Sequence, residues 1–174
     1  MKKIVSACTA LLGLGFGGAA VAADGLITFN GYVSDKTCTI GQGSGDKVVD
    51  LDPISLSALK DGGTAGHTRF TLEFTGCSAT QVKAQFERNS PQIDPATGDL
   101  KNVGSSNVQV RIFNADMERI DLRTNSNNDE WVSTTGTGGK STATLSYYAA
   151  YQAPATGATQ GNVNTYVEYS MNYQ

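Results

Sequence analysis

Histidine and tryptophan occur once each in the 174 residues, cysteine three times and proline four times. One histidine, His67 in Gly66-His67-Thr68, cannot build a multi-histidine metal centre, and no obvious nucleophile stands beside it. No nucleophile elbow is present, and Asp94, Asp99 and Asp116 lack the spacing of a calcium loop. Ordinary surface polarity accounts for all of these, so the chain reads as a non-enzyme without metal or cofactor. Charged residues make up only 17% and are scattered rather than blocked. An acidic chain without a basic patch disfavours nucleic acid and anionic membrane as partners. Also missing is any 3.6-residue apolar stripe, which removes amphipathic helices as the main building unit.

What the chain does have begins with a leader. Lys2 and Lys3 precede an apolar stretch, Ile4 to Phe16, and small residues follow through Ala23. That is the layout of a secretory signal peptide over residues 1–22, with cleavage after Ala22 or one residue later. The stretch is too short for a permanent membrane span. Val5-Ser6-Ala7-Cys8 resembles a lipid-attachment box but lies ahead of most of the apolar region, so a lipid anchor is rejected. Removing 22 of the 174 residues leaves 152, enough for one domain with a substantial core. The leader takes two of the 13 basic residues and none of the 16 acidic ones, so the mature net charge is −5. Cys38 and Cys77 are then the remaining cysteines. In an oxidising compartment an isolated pair reads as one disulfide. A metal pair or a reactive thiol would need a His or a further Cys close by, and neither is there. Closing a loop of roughly forty residues is worth about 3–4 kcal/mol.

The mature chain is rich in Gly, Ser, Thr and Asn, with short alternating runs between turn clusters. Thr28–Val33, Val48–Leu51, Phe70–Phe74, Val82–Phe86, Val108–Ile112 and Leu145–Tyr151 read as strands. Turns fall at 61–63, 95–99, 136–139 and 154–157. Ile54–Leu59 reads as one helical turn with Ser55 as its cap. Seven or so strands with one disulfide predict a single all-β sandwich.

The two ends carry the functional signal. Counting back from Gln174, the residues Tyr173, Met171, Tyr169, Val167, Thr165 and Val163 share one face, with Gly161 at the head. This predicts a long final strand with nothing after it. An immunoglobulin-like sandwich needs a further strand beside it, so the expected result is an open groove and an unpaired edge. At the other end Ile27, Phe29, Gly31 and Val33 share a face in residues 23–35. Such a strand can complete the sheet of another copy by β-strand addition. The contact is head-to-tail and does not close, so filaments follow.

Asp24–Gly31 followed by Cys38-Thr39 resembles the start of the chaperone–usher pilins, closest to the F17-like branch of the type 1 fimbrial shaft subunits. Phe70–Phe74 with Gly76-Cys77, Asn107–Ile112 and Leu145–Tyr151 are similar to that family's second-cysteine, central and aromatic strands. Tyr173, with Gly161 fourteenth from the end, is similar to its chaperone-contacting terminus. The resemblance implies an immunoglobulin-like sandwich lacking its final strand, a donor strand in 23–35 (Ile27, Phe29, Gly31, Val33) and a pilin domain in 36–174. It also implies an acceptor groove and chaperone contact at Gly161, Val163, Val167, Tyr169, Met171 and Tyr173. The implied function is structural subunit of an adhesive surface fimbria, assembled by donor-strand exchange. The partners would be copies of itself and related subunits, a periplasmic chaperone and an outer-membrane usher, with a host receptor unknown. The route runs through the periplasm to the cell surface. The alternatives are a minor adaptor subunit or a small secreted carbohydrate-binding adhesin, for which Trp131, Tyr147, Tyr148 and Tyr151 would line the sugar site.

Overall fold

Where apolar and polar residues alternate, the chain forms strands that bury one face. The computed structural model describes residues 35, 37–41, 45–60, 62–137 and 139–174. The leader and the donor residues Ile27, Phe29, Gly31 and Val33 lie outside the described residues. Seven strands follow in chain order: β1 Thr39–Ile40, β2 Thr64–Cys77, β3 Gln81–Phe86, β4 Gln109–Phe113, β5 Val132–Ser133, β6 Ser141–Gln152 and β7 Tyr169–Tyr173. They make two sheets, in the orders β1-β2-β6-β4 and β5-β3-β7. Each of the five strand pairings is antiparallel.

The inward faces of the two sheets meet in one core. Leu72 and Phe74 of β2, Val110 and Ile112 of β4, and Ala143, Leu145, Tyr147 and Ala149 of β6 pack with Val82, Ala84 and Phe86 of β3. Most alternate with a less buried neighbour, as a half-buried strand requires, but at the end of β6 Ala149, Ala150, Tyr151 and Gln152 are all buried. Cys38 and Cys77 are joined, and both are buried. The bond ties the start of β1 to the end of β2, where Thr39 pairs with Thr75.

Three expectations need correction. Val48–Leu51 is not a strand: residues 45–54 are irregular, and Val48 is 81% exposed. Among the described residues no edge pairs with it, and Leu51 and Ile54 alone turn into the core region. The helical turn is shorter than expected, a 3-10 turn at Leu56–Ala58, and the Ser55 hydroxyl meets Ser57 Oγ at 2.8 Å instead of capping. The long final strand is a strand only over Tyr169–Tyr173. Its first half is extended but lies beyond the reach of β3, and the loop 102–106 holds it instead.

Candidate functional site

The two sides of the C-terminal run are unequal, and backbone geometry shows how. In an antiparallel ladder, successive residues aim their N–H and C=O groups alternately to the two sides. On one side Asn162, Asn164, Glu168 and Gln174 are bonded, while Tyr166 between them has no backbone partner among the described residues. The N–H of Gln174 donates to the Gln81 carbonyl at 3.0 Å, and the Glu168 carbonyl accepts from the Glu87 N–H at 2.8 Å. Further up, the carbonyls of Asn164 and Asn162 accept from the N–H groups of Val103 (2.9 Å) and Ser106 (3.2 Å). The Asn162 and Asn164 N–H groups donate to Ser105 Oγ at 3.0 Å and Asn102 Oδ1 at 2.7 Å.

The odd residues face the other side. Among the described residues, the backbone groups of Val163, Thr165 and Val167 make no hydrogen bond, and β7 has no strand beyond it. Their side chains turn inward: Val163, Val167, Tyr169, Met171 and Tyr173 are half-buried against the core. The Thr165 hydroxyl belongs to the same row and is buried without a hydrogen-bond partner among the described residues. The opposite edge of β3 is closed. There β5 pairs with Gln81 and Val82, Asn128 Nδ2 donates to the Ala84 carbonyl at 3.0 Å, and Asn125 exchanges two bonds with the Phe86 backbone. Nothing in the sequence pattern announced these two asparagines.

Across the open side stands the irregular segment 45–54. Tyr169 Oη donates to the Gly45 carbonyl at 2.7 Å, and Tyr151 Oη to the carbonyls of Leu51 and Asp52 at 3.3 and 3.2 Å. Burial, with the negative charge of Asp46, pushes the Tyr169 phenol up, so it stays a neutral donor. Ile40, Gly45, Lys47, Leu72 and Tyr169 line a cavity of about 200 Å³ between this segment and the two sheets. Gly161 has φ +157° and passes so close to Ser105 and Ser106 that a Cβ would stand 2.5 Å from the Ser106 nitrogen. A Cβ at Gly104 would overlap the Asn162 carbonyl. Gly161 is exposed at the head of the row rather than inside it.

The remaining sequence candidates are apart. His67 is exposed, with its ring 5.1 Å from that of Phe113. Asp94 accepts the Ala96 N–H at 2.8 Å, and Asp116 is exposed. Asp99 is fully buried, bonded to Arg111 at 2.8 and 3.0 Å and to Arg119 at 3.2 Å, a network no spacing rule revealed. The four aromatics do not converge on one cleft. Tyr147 is buried between Phe70 and Phe86, Tyr151 sits in a separate small cluster, and Trp131 lies under Lys83 on the other sheet.

Residues 51–174 match the family model of the type-1 fimbrial protein, A. The major fimbrial subunit SMF-1 of Stenotrophomonas maltophilia is 41% identical over 166 residues, covering 89% of this chain and 95% of the relative. The F17 fimbrial protein of Escherichia coli is 36% identical over 166 residues, with 90% and 91% covered. Among solved structures, the P pilus rod subunit PapA superposes with a TM-score of 0.58 at 21% identity, covering 79% of this chain and 99% of that one. A rod structure of a chaperone–usher pilus gives 0.57 at 22% identity, covering 87% and 96%. At those identities the structural likeness speaks to the fold, which is immunoglobulin-like.

Proposed function

Because this chain belongs to the type-1 fimbrial protein family, we propose that it polymerises by donor-strand exchange, each copy laying residues 23–35 along the open edge of its neighbour. The chain is a structural fimbrial subunit and not an enzyme, a surface component that assembles with other subunits. The observation that carries the mechanism is the run 163–173: an unpaired backbone edge whose inward side chains are half-buried against the core. An exposed edge of that kind is an aggregation hazard unless a strand covers it, and β-strand addition covers it. A periplasmic chaperone supplies the covering strand first, and an outer-membrane usher exchanges it for the next subunit's Ile27, Phe29, Gly31 and Val33.

Burying an Ile or Phe side chain is worth roughly 1.5–3 kcal/mol, and the ladder adds backbone hydrogen bonds. Phe29→Asp would set an unpaired charge in an apolar groove. Since the acceptor groove is unchanged, the Phe29→Asp subunit should still be captured by its chaperone yet fail to join fibres. Electron microscopy and co-purification read the two steps separately. Normal fibre yield from Phe29→Asp subunits would remove 23–35 as the donor.

A further inference from the structure

Beyond the reach of β5, two side chains stand where a strand would be. The register of β5 on β3 covers Gln81 and Val82 and goes no further. Past it, the Phe86 N–H donates to Asn125 Oδ1 at 3.0 Å, and the Phe86 carbonyl accepts from Asn125 Nδ2 at 2.7 Å. A residue of a neighbouring strand would exchange the same two bonds. Asn128 Nδ2 donates to the Ala84 carbonyl at 3.0 Å and to Asn125 Oδ1 at 3.2 Å, and Tyr147 Oη donates to Asn128 Oδ1 at 3.2 Å. Both asparagines are buried, and every nitrogen and oxygen of their side chains is bonded. We propose that Asn125 and Asn128 act as a false strand that shuts this edge of β3 to the N-terminal segment of other copies, so that each subunit takes one strand and the fibre does not branch. This rests on the donor-strand reading above and names what confines addition to one edge.

A side-chain amide carries the donor and the acceptor of a peptide group. A further strand would only move the open edge outward, whereas two side chains end the sheet there. The loop that bears them is held in place. Asn125 has φ +58° and Asn127 φ +62°, left-handed conformations that asparagine adopts more readily than most residues. The Asn125 N–H donates to the Asp121 carbonyl at 2.8 Å, and the Asn128 N–H to the Asn125 carbonyl at 3.1 Å. Asn127 Nδ2 donates to the Arg119 carbonyl at 2.8 Å. The occupant kept out is the segment 23–35 of another copy, because fibre growth presents it to every subunit and its alternation suits any free edge. Residues 85–89 and Arg123 line a cavity of about 350 Å³ next to the pair, room for part of such a segment.

A photoreactive peptide of residues 23–35, added to assembled fibres, tests this. In fibres of the unaltered chain one edge is filled and the other shut, so attachment should be confined to fibre ends. Asn125→Gly with Asn128→Ala removes both side chains, and glycine keeps the left-handed backbone at 125. Fibres of that variant should attach severalfold more peptide, at residues 84–88. Asn125→Gly alone keeps Asn128 on the Ala84 carbonyl and should attach an intermediate amount, a reading that stands even where the double variant yields no fibres. Leu145→Ala truncates the core of the other sheet and should stay at the unaltered level, which separates a shut edge from general loosening. Variant fibres that attach no more than unaltered ones, or unaltered fibres that attach peptide at 84–88, would overturn the proposal. Attachment along 163–173 throughout unaltered fibres would instead overturn the donor-strand reading. A measurement without substitutions completes the test. In unaltered fibres the Phe86 amide should exchange with deuterium as slowly as that of Val82, and exchange severalfold faster would show that Asn125 does not hold the edge.

Discussion

Asp99 shows what a single buried charge asks of its surroundings. Its carboxylate is fully buried and bonded to two guanidinium groups, those of Arg111 on β4 and Arg119 in the following loop. A buried ion pair adds little net stability, but removing one partner leaves the others stranded. Asp99→Ala is therefore expected to cost about 3 kcal/mol, the low end for a broken buried pair because Arg119 is partly solvated. A reduced urea midpoint of the purified subunit checks it, and an unchanged midpoint would show that the arginines find water readily. Legibility at this scale was poor. Asp99 sat in the sequence as one of three scattered acids, and its burial depends on Leu100 pairing with Val110 across the loop.

At the scale of elements, the C-terminal run is two half-edges joined end to end. β3 holds Tyr169–Tyr173, and the loop 102–106 holds residues 162 and 164. Gly104 and Gly161 permit that second contact because neither has a Cβ to obstruct it. The alternation that makes both halves inward-facing is continuous in the sequence, so the face was readable before the pairing was. Deleting Tyr169–Gln174 strips β3 of its only strand on that side and removes the hydrogen-bonding edge. The truncated subunit should not be recovered in complex with a periplasmic chaperone and should be degraded. Recovery at the full-length level would separate chaperone capture from β7.

For the molecule as a whole, covalent and ionic constraints act on different parts of the sandwich. Cys38→Ser releases β1 from the end of β2, at a cost of about 3–4 kcal/mol. Exported subunit and fibres should both fall sharply, while mass spectrometry of the unaltered protein should find no free thiols. The loops around 94–123 depend on charge instead. The Arg123 side chain, by hydrogen bonding Asp121, holds that carboxyl at about 2, against an ordinary 3.8. The Ala96 N–H likewise lowers Asp94. A depressed folded pKa contributes stability that is present above the ordinary value and lost as pH falls through the folded one. Unfolding should therefore set in between about pH 4 and pH 2. Trp131 fluorescence against pH reads it, and Asp121→Asn should flatten that acid limb. An acid limb identical in Asp121→Asn would place the sensitivity elsewhere.

The sequence by itself determined most of the strand alternation, the inward face of the C-terminal run and the cysteine pair, because each depends on residue type and local period alone. Only the tertiary structure decided how both sides of β3, the strand next to that open edge, are closed. β3 is closed on one side by β5, Asn125 and Asn128 and on the other by β7, and no local period encodes those long-range pairings. The irregular course of 45–54, the buried Asp99 network and the unpartnered Thr165 hydroxyl likewise come from chain segments far apart in sequence. Hydrogen bonding and burial there are settled by what arrives from elsewhere in the chain.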